Sequence, residues 1–123
     1  MASPTLVRTI VCSYTRDELP AAWLQVLRRF ERMIERAGLR VRVRLDPLEE
    51  LPESYEVIVV PPELRERAAA LAGQARVITT TRADATVAAN ELLHELESGV
   101  TLRADRVRPG EPKIVVHRGP EIL

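Results

Sequence analysis

The chain has 123 residues, 46% of them apolar and 29% charged, with 18 Lys+Arg balanced by 18 Asp+Glu. That is enough for one domain with a sizeable core that needs no disulfide or metal staple, and a formal charge of zero excludes the basic footprint of a nucleic-acid binder. No apolar run approaches the roughly 20 residues that span a bilayer, and the start lacks the charged-then-apolar layout of a signal peptide, so no membrane insertion and a cytoplasmic setting are expected.

The single cysteine, Cys12, excludes an internal disulfide and any cysteine-rich zinc or iron–sulfur site, and no cofactor is expected. The zero net charge is segregated. Residues 1–45 carry 9 basic and 4 acidic groups (+5), residues 46–99 carry 4 and 11 (−7), and residues 100–123 carry 5 and 3 (+2).

Leu6 to Cys12 is a short apolar run with β-branched content and predicts a buried first strand. Thr15-x-x-Glu18 then fits a capping box, with Asp17 a competing cap that leaves Pro20 inside the first turn. The helix that follows is the clearest element. Leu19, Trp23, Val26, Leu27, Phe30, Met33, Ile34 and Ala37 recur at three- and four-residue steps, Arg28, Arg29, Arg32 and Arg36 fill the polar side, and Gly38 supplies the stop.

Leu39 to Leu45 alternates strictly, with Arg40, Arg42 and Arg44 on one face, and reads as an edge strand. The row is either an anion or partner patch or a guard against edge-to-edge pairing. An acidic loop follows, carrying Glu49, Glu50, Glu53 and Glu56. Glu56 to Val60 is nearly continuously apolar, hence central and parallel, and Pro61-Pro62 ends it. A second helix is expected over Glu63–Ala72, a fourth strand over Arg76–Thr80, and a third helix over Asp84–Glu97 with Val87, Ala88, Leu92, Leu93 and Leu96 inward.

The order β-α-β-β-α-β-α predicts a small doubly wound α/β fold with a mainly parallel four-stranded sheet, residues 1–99. Val100–Arg106 and Lys113–His117 predict a C-terminal β-hairpin extension over residues 100–123, joined by Arg108-Pro109-Gly110-Glu111-Pro112, that extends the sheet or pairs with another subunit.

In an open α/β sheet ligands bind beyond the C-terminal strand ends. The residues there are Cys12 to Arg16, Val60 to Glu63, and Thr79 to Asp84. Cys12 closes the first strand before a long helix, where free N–H groups and the helix dipole favour a thiolate or a phosphate. Ser13, Thr15 and Arg16 add hydroxyls and a cation. The competing reading is a small buried hydrophobe that finishes a strand. Sharper motifs fail: Glu18 stands where a Cys-x5-Arg phosphatase needs arginine, Val60-Pro61 where a receiver domain needs aspartate, and Ser98 where an HExxH motif begun at His94 needs its second histidine. There is no GxGxxG, GxxxxGK[ST] or CxxC.

The strand–Cys–helix opening, the element order and the size together resemble enzyme IIB of the sugar phosphotransferase system, of the lactose/cellobiose or galactitol type. Thr9-Ile10-Val11-Cys12 matches the strand and cysteine, Tyr55 to Leu64 the third strand with its proline-bearing turn, and Arg76-Val77-Ile78 with Thr79–Asp84 the fourth strand and last helix. The likeness covers about residues 6 to 98, with a degenerate phosphate loop that contains no glycine. It implies a cytoplasmic phosphocysteine carrier, a transferase whose Cys12 thiolate takes a phosphoryl group from a IIA-like phosphohistidine protein, with Ser13, Tyr14, Thr15 and Arg16 around the phosphate. The second expectation is a non-catalytic interaction or regulatory module of the same fold, with Cys12 structural and a homodimer through the C-terminal hairpin. A redox or persulfide-carrying thiol is a third.

Overall fold

Strand β2, Thr9–Tyr14, occupies an interior lane of the sheet in the computed structural model, which describes residues 3–16 and 21–107. On one side it pairs in parallel with β3, Arg42–Pro47, from Thr9↔Arg42 to Tyr14↔Pro47. On the other it pairs with β4, Val57–Val60, from Ile10↔Val57 to Cys12↔Val59. Strand β5, Arg76–Thr79, closes the order β3-β2-β4-β5, every pair parallel. All four residues of β4 are buried, as expected of a central parallel strand covered on both faces.

Helices α1, Ala21–Ala37, and α3, Ala85–Ser98, lie on one face, and α2, Arg65–Ala72, on the other. The alternation of the strands splits the core accordingly. Ile10, Cys12, Val43, Val57 and Val59 meet Val26, Leu27, Phe30 and Leu92 under α1 and α3, while Val11, Ile58 and Val60 meet Leu64 and Ala68 under α2. The small doubly wound α/β expectation is therefore what the chain adopts. Short 3-10 turns at Leu48–Glu50 and Pro62–Leu64 lead out of β3 and into α2.

Boundaries moved where hydrogen bonds found other partners. The expected strand Leu6–Cys12 splits into β1, Thr5–Leu6, and β2. Between them the N–H groups of Arg8 and Thr9 donate to Glu56 Oε1 at 2.7 and 2.9 Å, and Val7 N–H donates to Arg103 O at 2.8 Å. β2 then runs two residues past Cys12. The expected start of the edge strand at Leu39 shifts to Arg42, because Leu39 bridges Arg106 and Arg40 N–H donates to Asp105 O at 2.6 Å.

Residues 100–107 return to this same end. β6, Leu102–Arg103, is two residues long and pairs in parallel with β1, and Leu102 joins the core under α1 and α3. The hairpin's second strand, Lys113–His117, and the caps at Asp17 and Glu18 lie outside the described residues. Val87, expected inward, is 58% exposed: the buried stripe of α3 is Ala85, Ala89, Leu92 and Leu96. The two glycine stops at Gly38 and Gly99 both sit at φ +66°, a left-handed conformation costly to any residue with a Cβ.

Candidate functional site

The switch point of the β3-β2-β4-β5 sheet lies where the connections leave the central strands in opposite directions, at the C-terminal ends of β2 and β4. Ser13, Tyr14, Thr15 and Arg16 do lie at that end, but the cysteine does not. Cys12 stands opposite Leu45 on one neighbour and Val59 on the other, inside the ladder and wholly buried in the core under α1 and α3. Burial pushes its thiol far above the ordinary value of 9.0, and the negative charge of Glu31 pushes in the same direction. A thiol in that state is a poor nucleophile, because the thiolate is the reacting form.

The residues after it are also committed. Ser13 is fully buried, and its hydroxyl donates to Asp46 O at 2.7 Å, tying the end of β2 to β3. Ser13 and Tyr14 continue the ladder opposite Asp46 and Pro47, so they form strand rather than a turn that wraps an anion. Tyr14 packs against the core and Thr15 is buried. Arg16 is exposed and ion-paired with Glu50.

Carboxylates of Asp46 and Glu49 face two further cations near this rim. Arg44 Nη2 donates to Asp46 Oδ1 at 3.2 Å, and its Nε lies 3.0 Å from Oδ2, close as an ion pair but not aligned as a hydrogen bond, so buried Oδ2 has no hydrogen-bond donor among the described residues. Arg67 faces Glu49 at 3.6 Å. Across the crevice Pro61 and Pro62 have no N–H to offer. A phosphate bound at Arg16, Arg44 or Arg67 would have to displace the carboxylates they face.

Asp46 is the residue sequence reasoning passed over. The only signal for it in the sequence is its place beyond an alternating strand that already carries Arg44 two residues earlier. No group of three or more His, Cys, Asp or Glu among the described residues is placed to hold a metal ion. Among them, too, no helix is long and apolar enough to cross a membrane.

Two clefts lie away from Cys12. One, of about 600 Å³, opens between the loop Leu51–Glu56 and the end of α2, crossed by Tyr55, whose hydroxyl donates to Leu71 O at 3.4 Å. The other, of about 470 Å³, runs along β5 and α3 between Ile78, Val87 and Ala88. No protein-family model matches this chain, and no curated protein matches it in sequence.

Proposed function

We propose that this protein is a non-catalytic α/β interaction module, with Cys12 a structural residue and a second copy of the chain as its partner. The observation that carries this reading is the position of Cys12: mid-ladder, fully buried, its thiol held protonated by an apolar core. A phosphocysteine carrier needs that sulfur outside the sheet, within reach of a partner's phosphohistidine. The rim supports the same reading, because Arg16, Arg44 and Arg67 already face carboxylates. For a self-partner the segregated charge provides complementarity, a +2 tail against a −7 middle segment in one sequence.

The test is the alkylation rate of Cys12 against pH, in buffer and in denaturant. The module reading expects reaction in buffer only at the rate that unfolding permits, with fast reaction once denaturant is present. Rapid alkylation of the folded chain between pH 6 and 7 would sink it and return the phosphoryl-carrier reading, with a phosphohistidine protein as the next reagent.

A further inference from the structure

We infer that the β5 edge and the groove beside it receive the segment Lys113–His117 of a second copy, as a fifth strand. The inference rests on the interaction-module reading and names the surface involved. β5 ends the sheet, with no strand on its outer side among the described residues. Arg76 N–H donates to Glu56 O at 2.9 Å and Thr80 N–H to Val60 O at 3.1 Å, so alternation turns the N–H and C=O groups of Val77 and Thr79 outward. Two residues so placed offer four backbone hydrogen bonds to an added strand, the standard currency of β-augmentation.

Beside that edge, on the α3 side, lies the 470 Å³ groove, apolar along Ile78, Val87, Ala88 and Leu92 and polar where the Arg76–Glu95 ion pair and His94 border it. Val87 is 58% exposed on a helix whose stripe is otherwise buried. An edge left open next to an apolar groove is a liability that most sheets blunt with charge or proline. The opposite edge is blunted in that way, by Arg42 and Arg44 of β3, whereas on β5 Arg76 is drawn to Glu95 on α3 and leaves Val77, Ile78 and Thr79 along the edge.

The occupant follows from the sequence and from where the described chain stops. Lys113-Ile114-Val115-Val116-His117 is a β-branched run flanked by Lys113 and Arg118. Its side chains suit an aliphatic groove, and its cations suit Glu91, a groove residue with no ion pair among the described residues. The β3 edge, lined by arginines, would repel the same segment.

The source is another copy because the distance leaves no slack within one chain. Val107 N–H donates to Gly38 O at 2.7 Å, next to the residues that lead into β3. The lane outside β5 lies four strand spacings from β3, roughly 19 Å. The six steps from Val107 to Lys113 reach only about 20 Å when pulled straight, and Arg108-Pro109-Gly110-Glu111-Pro112 is a turn-forming composition. Two copies exchanging this segment reciprocally close a two-fold dimer.

Cross-linking tests it on full-length chains. A copy carrying Val87→Cys is mixed with a mass-tagged copy carrying Val115→Cys, and a short bismaleimide is added; buried Cys12 does not compete. The expected product is a covalent dimer of the two different copies. A Val87→Cys/Val115→Cys double variant that instead cross-links within a monomer overturns the inference. In parallel, light scattering of the unmodified chain should show a dimer at micromolar concentration. Val87→Glu, at an exposed position, and Val115→Pro, which removes a backbone donor, should each weaken it at least about tenfold, roughly 1.4 kcal/mol, with unchanged circular dichroism. A monomeric chain, or a dimer indifferent to both substitutions, refutes it. Neither result touches the structural reading of Cys12, which alkylation decides separately.

Discussion

Raising the pH should destabilise this protein through Cys12. The folded chain holds that thiol protonated far above its ordinary value of 9.0, whereas the unfolded chain releases the proton near that value. A group with a raised folded pKa contributes stability that is fully present below the unfolded pKa and is lost as pH climbs towards the folded one. The loss therefore begins near pH 9. At pH 10.5 it spans 1.5 pH units above 9.0, and at about 1.36 kcal/mol per unit the cost is about 2 kcal/mol. For a domain with a total stability of roughly 5–15 kcal/mol that is a large share.

Urea midpoints measured at pH 7, 9, 9.5, 10 and 10.5 should fall accordingly, and the slope should flatten in Cys12→Ala. That variant loses some packing at every pH, so the comparison is between slopes and not between absolute stabilities. Tyr55, also raised by burial, titrates alike in both proteins and cancels. Equal slopes in the two proteins would refute the idea that the folded core suppresses thiolate formation.

Three further substitutions probe the framework by equilibrium denaturation. Ser13→Ala removes the hydroxyl that satisfies buried Asp46 O and should cost about 1–2 kcal/mol; a neutral result would mean that water takes its place. Glu56→Ala deprives the Arg8 and Thr9 N–H groups of their shared carboxylate and should cost about 1–3 kcal/mol, with faster amide exchange at Thr9 as the local sign. Phe30→Ala opens a cavity at the largest fully buried side chain and should cost about 3–5 kcal/mol, which a loss under 1 kcal/mol would contradict.

The architecture was legible because it rests on periodicity. The three-and-four spacing of α1, the unbroken apolar run of β4 and the alternation of β3 each report how many faces an element buries, which is what determines its place in a sheet. What sequence could not carry was the pairing of backbone groups between distant segments. Leu39 and Arg40 continue the alternation of β3, yet their partners lie in residues 105–106. The apolar run from Leu6 to Cys12 hides a change of partner at Val7 and Arg8, made possible by a glutamate 48 residues away. Val87 was placed inward for a related reason. It is apolar and near the right spacing, but α3 is rotated so that Ala85 and Ala89 pack instead.

The same blindness governed the reading of the cysteine. A thiol at a strand end before a helix is an activated nucleophile; two residues further inside the ladder it is core. Deciding between those states needs the strand's true end, which is set by β3: Asp46 and Pro47 lie opposite Ser13 and Tyr14 and carry β2 past Cys12. Side-chain parity then points Cys12 into the α1/α3 core while Val11 faces α2. A two-residue extension is thus what separates the two proposed readings of Cys12. It also takes the thiol away from the place where a doubly wound sheet usually keeps its chemistry, and the proposed recognition falls to the surfaces still open. Of the two sheet edges, β3 carries Arg42 and Arg44, and β5, whose Arg76 is held by Glu95, turns the backbone groups of Val77 and Thr79 outward and is the edge proposed to receive another chain.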